Sequence, residues 1–129
     1  MAQMTYATAI NCMDGRTQLP VIEFIMQKYH VDFVDMITEP GPNKILADSI
    51  MNHLTVESIK KRVDISVKIH GSKLIAVVGH HGCAGNPAGK GLQMNHTRSA
   101  ISTVKSWNFD VEIIGLWVEE DFKVSMLDL

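Results

Sequence analysis

The sequence predicts an α/β fold, a mostly parallel sheet with helices on both faces. Apolar, partly β-branched runs recur along the 129 residues, and segments with helical spacing separate them. That alternation is the pattern of strand, crossover helix and parallel strand, with right-handed connections. Two of the runs also end in turns bearing cysteine or histidine, where open parallel sheets place their ligands.

Strands are expected at Tyr6 to Asn11, Val31 to Thr38, Lys73 to Gly79 and Asp110 to Val118. A first helix should run from about Gln18 to His30, with Leu19, Ile22, Ile25 or Met26, and Tyr29 on one face. Pro20 would then fall in its opening turn, where a missing N–H costs little. A second helical stretch is read over Asn43 to Asn52. A third, from Thr55 to His70, has Val56, Ile59, Val63 and Val67 as its apolar stripe, Thr55 as cap and Gly71 as terminator. The fourth begins at Leu92 or Asn95 and ends at Trp107, with Ile101, Val104 and Trp107 facing the core. Residues Phe122 to Leu129 supply either a last edge strand or a tail for a partner. The run Glu39-Pro40-Gly41-Pro42-Asn43 reads as a rigid loop at the rim of a site.

Length allows one domain, residues 1–129, because a chain of this size builds a single core. With a net charge of −2 and twelve scattered Lys and Arg residues, no phosphate-tracking field is set up, so nucleic acid is not expected as a partner. Met1 to Ile10 lacks a basic and apolar leader, and no apolar run approaches the roughly 20 residues of a membrane span. We therefore expect a soluble cytoplasmic protein. Its two cysteines, Cys12 and Cys83, are too few for a disulfide framework and read as thiols or ligands.

The chemistry concentrates at two strand ends, Cys12-Met13-Asp14-Gly15-Arg16 and Gly79-His80-His81-Gly82-Cys83-Ala84-Gly85. If the two strands are neighbours, their carboxyl ends meet in one crevice. Two thiolates and an imidazole, Cys12, Cys83 and His80, suit zinc and leave the fourth tetrahedral position free. The His-x-x-Cys spacing lets one turn present two donors, with Gly79, Gly82 and Gly85 giving the backbone freedom to wrap a metal. Asp14 and Arg16 leave the same turn as Cys12 and are placed to pair; a carboxylate kept ionised in this way can accept a hydrogen bond from water at the metal and orient it.

Cys-x-Asp-x-Arg followed by a distant His-x-x-Cys is the motif pair of the β-class carbonic anhydrases, which this chain resembles at both places and tolerably from about residue 5 to residue 118. The resemblance implies Cys12, His80 and Cys83 as ligands of Zn2+ and Asp14 with Arg16 as the catalytic dyad. It further implies a parallel sheet in the order 2-1-3-4 and a homodimer or higher homo-oligomer. The chain departs from the family in Gly15, where serine is usual, in Ala84, where glycine is usual, and in lacking an N-terminal helical arm. The leading expectation is reversible hydration of carbon dioxide to bicarbonate by zinc hydroxide. The alternatives are hydrolysis of carbonyl sulfide or carbon disulfide, and a catalytically silent zinc module with Asp14 as the fourth ligand.

Each of these features also has a plainer reading. A lone cysteine is more often core than ligand, and an exposed Asp–Arg pair is worth little, but here both fall in motifs at strand ends. His81 reads as a solvated neighbour, with a role as ligand or proton carrier as the alternative. His30, His53, His70 and His96 lie near helix ends and need no metal to explain them. Glu119-Glu120-Asp121 is read as solvated surface.

Overall fold

The computed structural model describes residues 3–128. Its elements run β1 (Tyr6–Cys12), α1 (Gly15–Tyr29), β2 (Phe33–Glu39), α2 (Pro42–Ala47), α3 (His53–Lys68), β3 (Leu74–His80), α4 (Lys90–Lys105), β4 (Glu112–Val118) and β5 (Val124–Met126). They form one five-stranded sheet in the order β2-β1-β3-β4-β5. β1 to β4 are parallel and β5 is antiparallel to β4. The expected fold class and strand order are both present, and the final stretch is the edge strand of the two options.

β3 is buried along its whole length, as a central strand covered on both faces must be. Its side chains alternate. Leu74, Ala76 and Val78 face α1 with Ala7, Ala9, Val21, Ile25 and Leu116, whereas Ile75 and Val77 face α2 to α4 with Leu46, Ile59, Val63, Ala100 and Val104. α1 alone covers one face and three helices cover the other.

Several boundaries differ from the sequence expectation for local reasons. α1 begins three residues early because Asp14 caps it: its carboxylate accepts from the Arg16 N–H at 3.0 Å, and its carbonyl accepts from the Thr17 N–H. Pro20 consequently lies inside the helix rather than in its opening turn, and the Arg16 carbonyl loses its i+4 donor. The buried stripe of α1 is Thr17, Val21 and Ile25, with Leu19 exposed. α2 is shorter than read, ending at Ala47. The Asn52 side chain donates to the Asp48 carbonyl at 3.0 Å and closes a turn before α3 starts at His53, ahead of Thr55. The predicted stripe of α3 is there, and Gly71 follows it at φ +73°. Trp107 lies past the end of α4.

Candidate metal centre

β1 and β3 are neighbours, so the turns at their carboxyl ends lie side by side. Cys12 closes β1, His80 closes β3 and Cys83 follows one turn later. Gly82, at φ +68°, makes that turn in a conformation that L side chains rarely adopt. The two sulfurs are 3.7 Å apart, and they and a ring nitrogen of His80 all lie within 4.8 Å of one another; all three residues are buried. Among the described residues this is the one group of three or more His, Cys, Asp or Glu side chains so arranged as to be able to hold a metal ion.

The donors fit a zinc ion. Two sulfurs each about 2.3 Å from a tetrahedral zinc must stand about 3.75 Å from each other, close to the separation found here. His80 Nδ1 contacts the His81 carbonyl at 2.9 Å, so it carries the ring proton and leaves Nε2 as a lone-pair donor. That Nε2 is buried without a hydrogen-bond partner, which for a polar atom is costly unless something else satisfies it.

Charge in the cluster is also organised. The hydrogen bond from Cys83, opposed by burial, draws the Cys12 thiol well down, with help from the neighbouring His80 ring and from the backbone N–H groups of Gly41 and Asp14. Sharing that bond with a thiolate pushes Cys83 up, against the backbone N–H groups of Asn86 and Gly85. Burial pulls His80 down, but the neighbouring Cys12 thiolate and the His81 carbonyl outweigh it and hold the imidazole above its usual value.

Asp14 and Arg16 sit beside this cluster. Arg16 grips the carboxylate with Nε at 3.1 Å from Oδ1 and its terminal nitrogen at 2.7 Å from Oδ2. These hydrogen bonds bring the Asp14 carboxyl down to about 2, and Arg16 also points toward the Gly82 carbonyl at 3.4 Å. Asp14 is therefore tied to Arg16 and stands outside the group of three. A cleft of about 170 Å³ opens here, lined by Arg16, His80, His81, Glu119, Glu120 and Phe122 among others. His81 is exposed at its mouth, 3.9 Å from Glu120. Glu119, read as plain surface, pairs with Lys90 at 2.6 Å.

Behind the cleft lies a buried polar layer that sequence reasoning missed. Asn43, Asn86, Gln93 and Thr97 are each almost wholly buried and hydrogen-bonded to one another. Their signal was present: Gln93 and Thr97 continue the Ile101 and Val104 stripe back toward the start of α4, as polar residues at core positions. Close packing here also explains two of the glycines, one against this layer and one against the Pro40-Gly41 backbone. A Cβ on Gly79 would come within 2.8 Å of the Asn43 amide, and one on Gly85 within 2.4 Å of the Pro40 carbonyl carbon. Space, more than freedom to wrap a metal, requires glycine there. The Pro40-Gly41 segment thus packs under the cysteine turns, while Glu39 belongs to β2 and Asn43 to α2.

A β-carbonic-anhydrase-like fold with a Cys-His-Cys cluster at its strand ends is the class that these features define. The chain belongs to the family described as putative carbonic anhydrase, which matches residues 2–128. Among solved structures it is similar to the β-carbonic anhydrase CafA of Aspergillus fumigatus, at 14% identity and a TM-score of 0.51, over 98% of this chain and 77% of that one. It is also similar to a structure of tetrameric β-carbonic anhydrases from Sordaria macrospora, at 14% identity and a TM-score of 0.55, over 99% of this chain and 83% of that one. At that identity the likeness is one of fold. No curated protein matches the chain.

Proposed function

We propose that this protein is a zinc-dependent carbonic anhydrase, a lyase that reversibly hydrates carbon dioxide to bicarbonate, with Cys12, His80 and Cys83 as ligands and Asp14 and Arg16 as the catalytic pair. The observation that carries the reading is the separation of roles at the site: three donors converge while the nearest carboxylate is held away from them by Arg16. That arrangement favours an open coordination place over the silent module in which Asp14 closes it.

A zinc ion held by these residues supplies a Lewis acid strong enough to ionise water near neutral pH. The protein's own groups do the rest. His80 is fixed in one tautomer by the His81 carbonyl, so its Nε2 stays available. Asp14, ionised throughout the physiological range, accepts a hydrogen bond from the attacking oxygen and turns a lone pair toward the substrate carbon. Arg16 fixes the direction of that carboxylate. The cleft beside His80 is lined by Thr17 and Phe122 together with the charged Arg16, Glu119 and Glu120, and its exposed side near His81 lets the released proton and bicarbonate reach solvent.

Stopped-flow hydration by zinc-loaded protein should show activity that Cys83→Ala and Asp14→Ala each reduce by at least about 100-fold, the scale on which loss of a positioned transition-state contact acts. Absence of turnover from pH 6 to 9 would contradict the assignment. Sulfide release from carbonyl sulfide or carbon disulfide with little carbon dioxide turnover would move it to those substrates.

Among the described residues, no helix is long and apolar enough to cross a membrane. We read the chain as a single-domain cytoplasmic protein that works as a homodimer or larger homo-oligomer; the tetrameric Sordaria macrospora relatives support assembly.

A further inference from the structure

The Gln93 carboxamide touches three segments that carry or contact donors of the cluster, namely the His80 end of β3, the turn after Cys83 and the Gly41–Asn43 segment. Its Nε2 donates to the carbonyl of His80 at 2.8 Å and to that of Asn86 at 3.1 Å, with the Ala88 carbonyl at 3.3 Å. Its Oε1 accepts from the Asn43 amide at 3.2 Å. Asn43 in turn accepts from Asn86 at 3.1 Å. Each of these contacts leads to a donor of the cluster. His80 is itself one. The Asn86 N–H faces the Cys83 sulfur, and Asn43 follows Gly41, whose N–H faces the Cys12 sulfur. Gln93 is 1% exposed.

We propose that Gln93 is a positioning residue of the metal centre, its buried carboxamide fixing the His80 end of β3, the Cys83 turn and the Gly41–Asn43 segment in the relative placement that a tetrahedral ion requires. The inference rests on the reading of Cys12, His80 and Cys83 as a metal site. Burial makes the device stiff: a carboxamide with no water to exchange with holds its partners, whereas an apolar side chain of the same length takes this donor away from the His80, Asn86 and Ala88 carbonyls and this acceptor from Asn43. Metal ligands then keep their chemistry but lose their mutual geometry, which affects affinity and coordination symmetry more than the fold itself.

The test compares wild-type protein, Gln93→Met, Asn43→Ala and Ser66→Ala, each loaded with Co2+ alone. Ser66 is a buried hydroxyl bonded to Thr8 at 2.6 Å and to Asp35 at 2.7 Å, remote from the cysteine turns, and it controls for loss of a buried hydrogen bond as such. We expect Gln93→Met to keep its far-UV spectrum and a cooperative melt. Its Co2+ affinity, read by chelator competition, should fall by about 10- to 100-fold, and its visible d–d bands should lose tetrahedral intensity. Asn43→Ala should move both readouts in the same direction and serves if Gln93→Met does not fold. Ser66→Ala should melt lower with affinity and bands unchanged. Wild-type affinity and spectrum in both Gln93→Met and Asn43→Ala overturn the proposal, as does an equal change in Ser66→Ala. Failure of the wild-type protein to take up Co2+ removes the metal-site reading and this inference together; uptake with unaltered variants removes the inference alone.

Discussion

Asp14 has two tasks, of which the sequence reading anticipates only the pairing with Arg16. It caps α1 through Oδ1, and it offers a carboxylate, clamped by Arg16, to the site. The tasks separate by substitution. Asparagine keeps a capping oxygen, so Asp14→Asn should lose less than about 1 kcal/mol of stability, since Arg16 is 59% exposed and its pairing is screened. Asp14→Ala should cost about 1 kcal/mol more through the cap. Because Arg16 draws the Asp14 carboxyl from 3.8 down to about 2, the charge contributes above the unfolded value and is lost as pH falls toward the folded one. Denaturation of the metal-free protein should show a gap between wild type and Asp14→Asn that is constant from pH 6 to 8 and closes between pH 4 and 2. A gap that widens in acid would show that the carboxylate is not stabilised by Arg16. Of the site residues, the cysteines, His80 and the Asp14–Arg16 pair were legible because they are local motifs. Gln93 left a trace as a polar residue on the stripe of α4, but Asn43 and Asn86 did not, since nothing local distinguishes a buried amide from a surface one until packing is known.

At the scale of elements, the strands and the α3 stripe could be read from periodicity, because burial on one or both faces leaves a mark at every second or every third to fourth residue. Helix ends were less legible. α1 was misplaced because the apolar pattern begins at Leu19, whereas the helix begins where Asp14 caps it, and that error turned Pro20 into an opening-turn residue. Its actual place carries a measurable consequence. Inside α1, Pro20 removes the donor to the Arg16 carbonyl, a cost of about 3 kcal/mol for an interior proline, partly offset by about 1 kcal/mol from the stiffer unfolded chain. Pro20→Ala should therefore raise the unfolding free energy by about 2 kcal/mol in a chemical melt while leaving metal uptake unchanged; a loss of stability would mean that the ring is packed where the helix needs it.

For the whole molecule, topology does the work that sequence distance conceals. Residues 12 and 83 meet because β1 and β3 pair in parallel and both end at the same edge of the sheet. Strand order followed from family likeness more than from pattern, and the antiparallel β5 was one of two options because a three-residue edge strand leaves little periodicity to read. The glycines show the reverse case: three were legible as a turn motif, but only the packed structure separates Gly82, needed for its backbone angle, from Gly79 and Gly85, needed for room. The assembled fold thus makes one strong claim, that two turns 71 residues apart share an ion with a place left for water. X-ray absorption at the zinc edge of the purified protein tests it most directly. The expected spectrum has two sulfurs at about 2.3 Å, one imidazole nitrogen at about 2.0 Å and one further light atom per zinc, with one sulfur lost in Cys12→Ala and in Cys83→Ala. A zinc shell without sulfur, or one unchanged by either substitution, would contradict the claim.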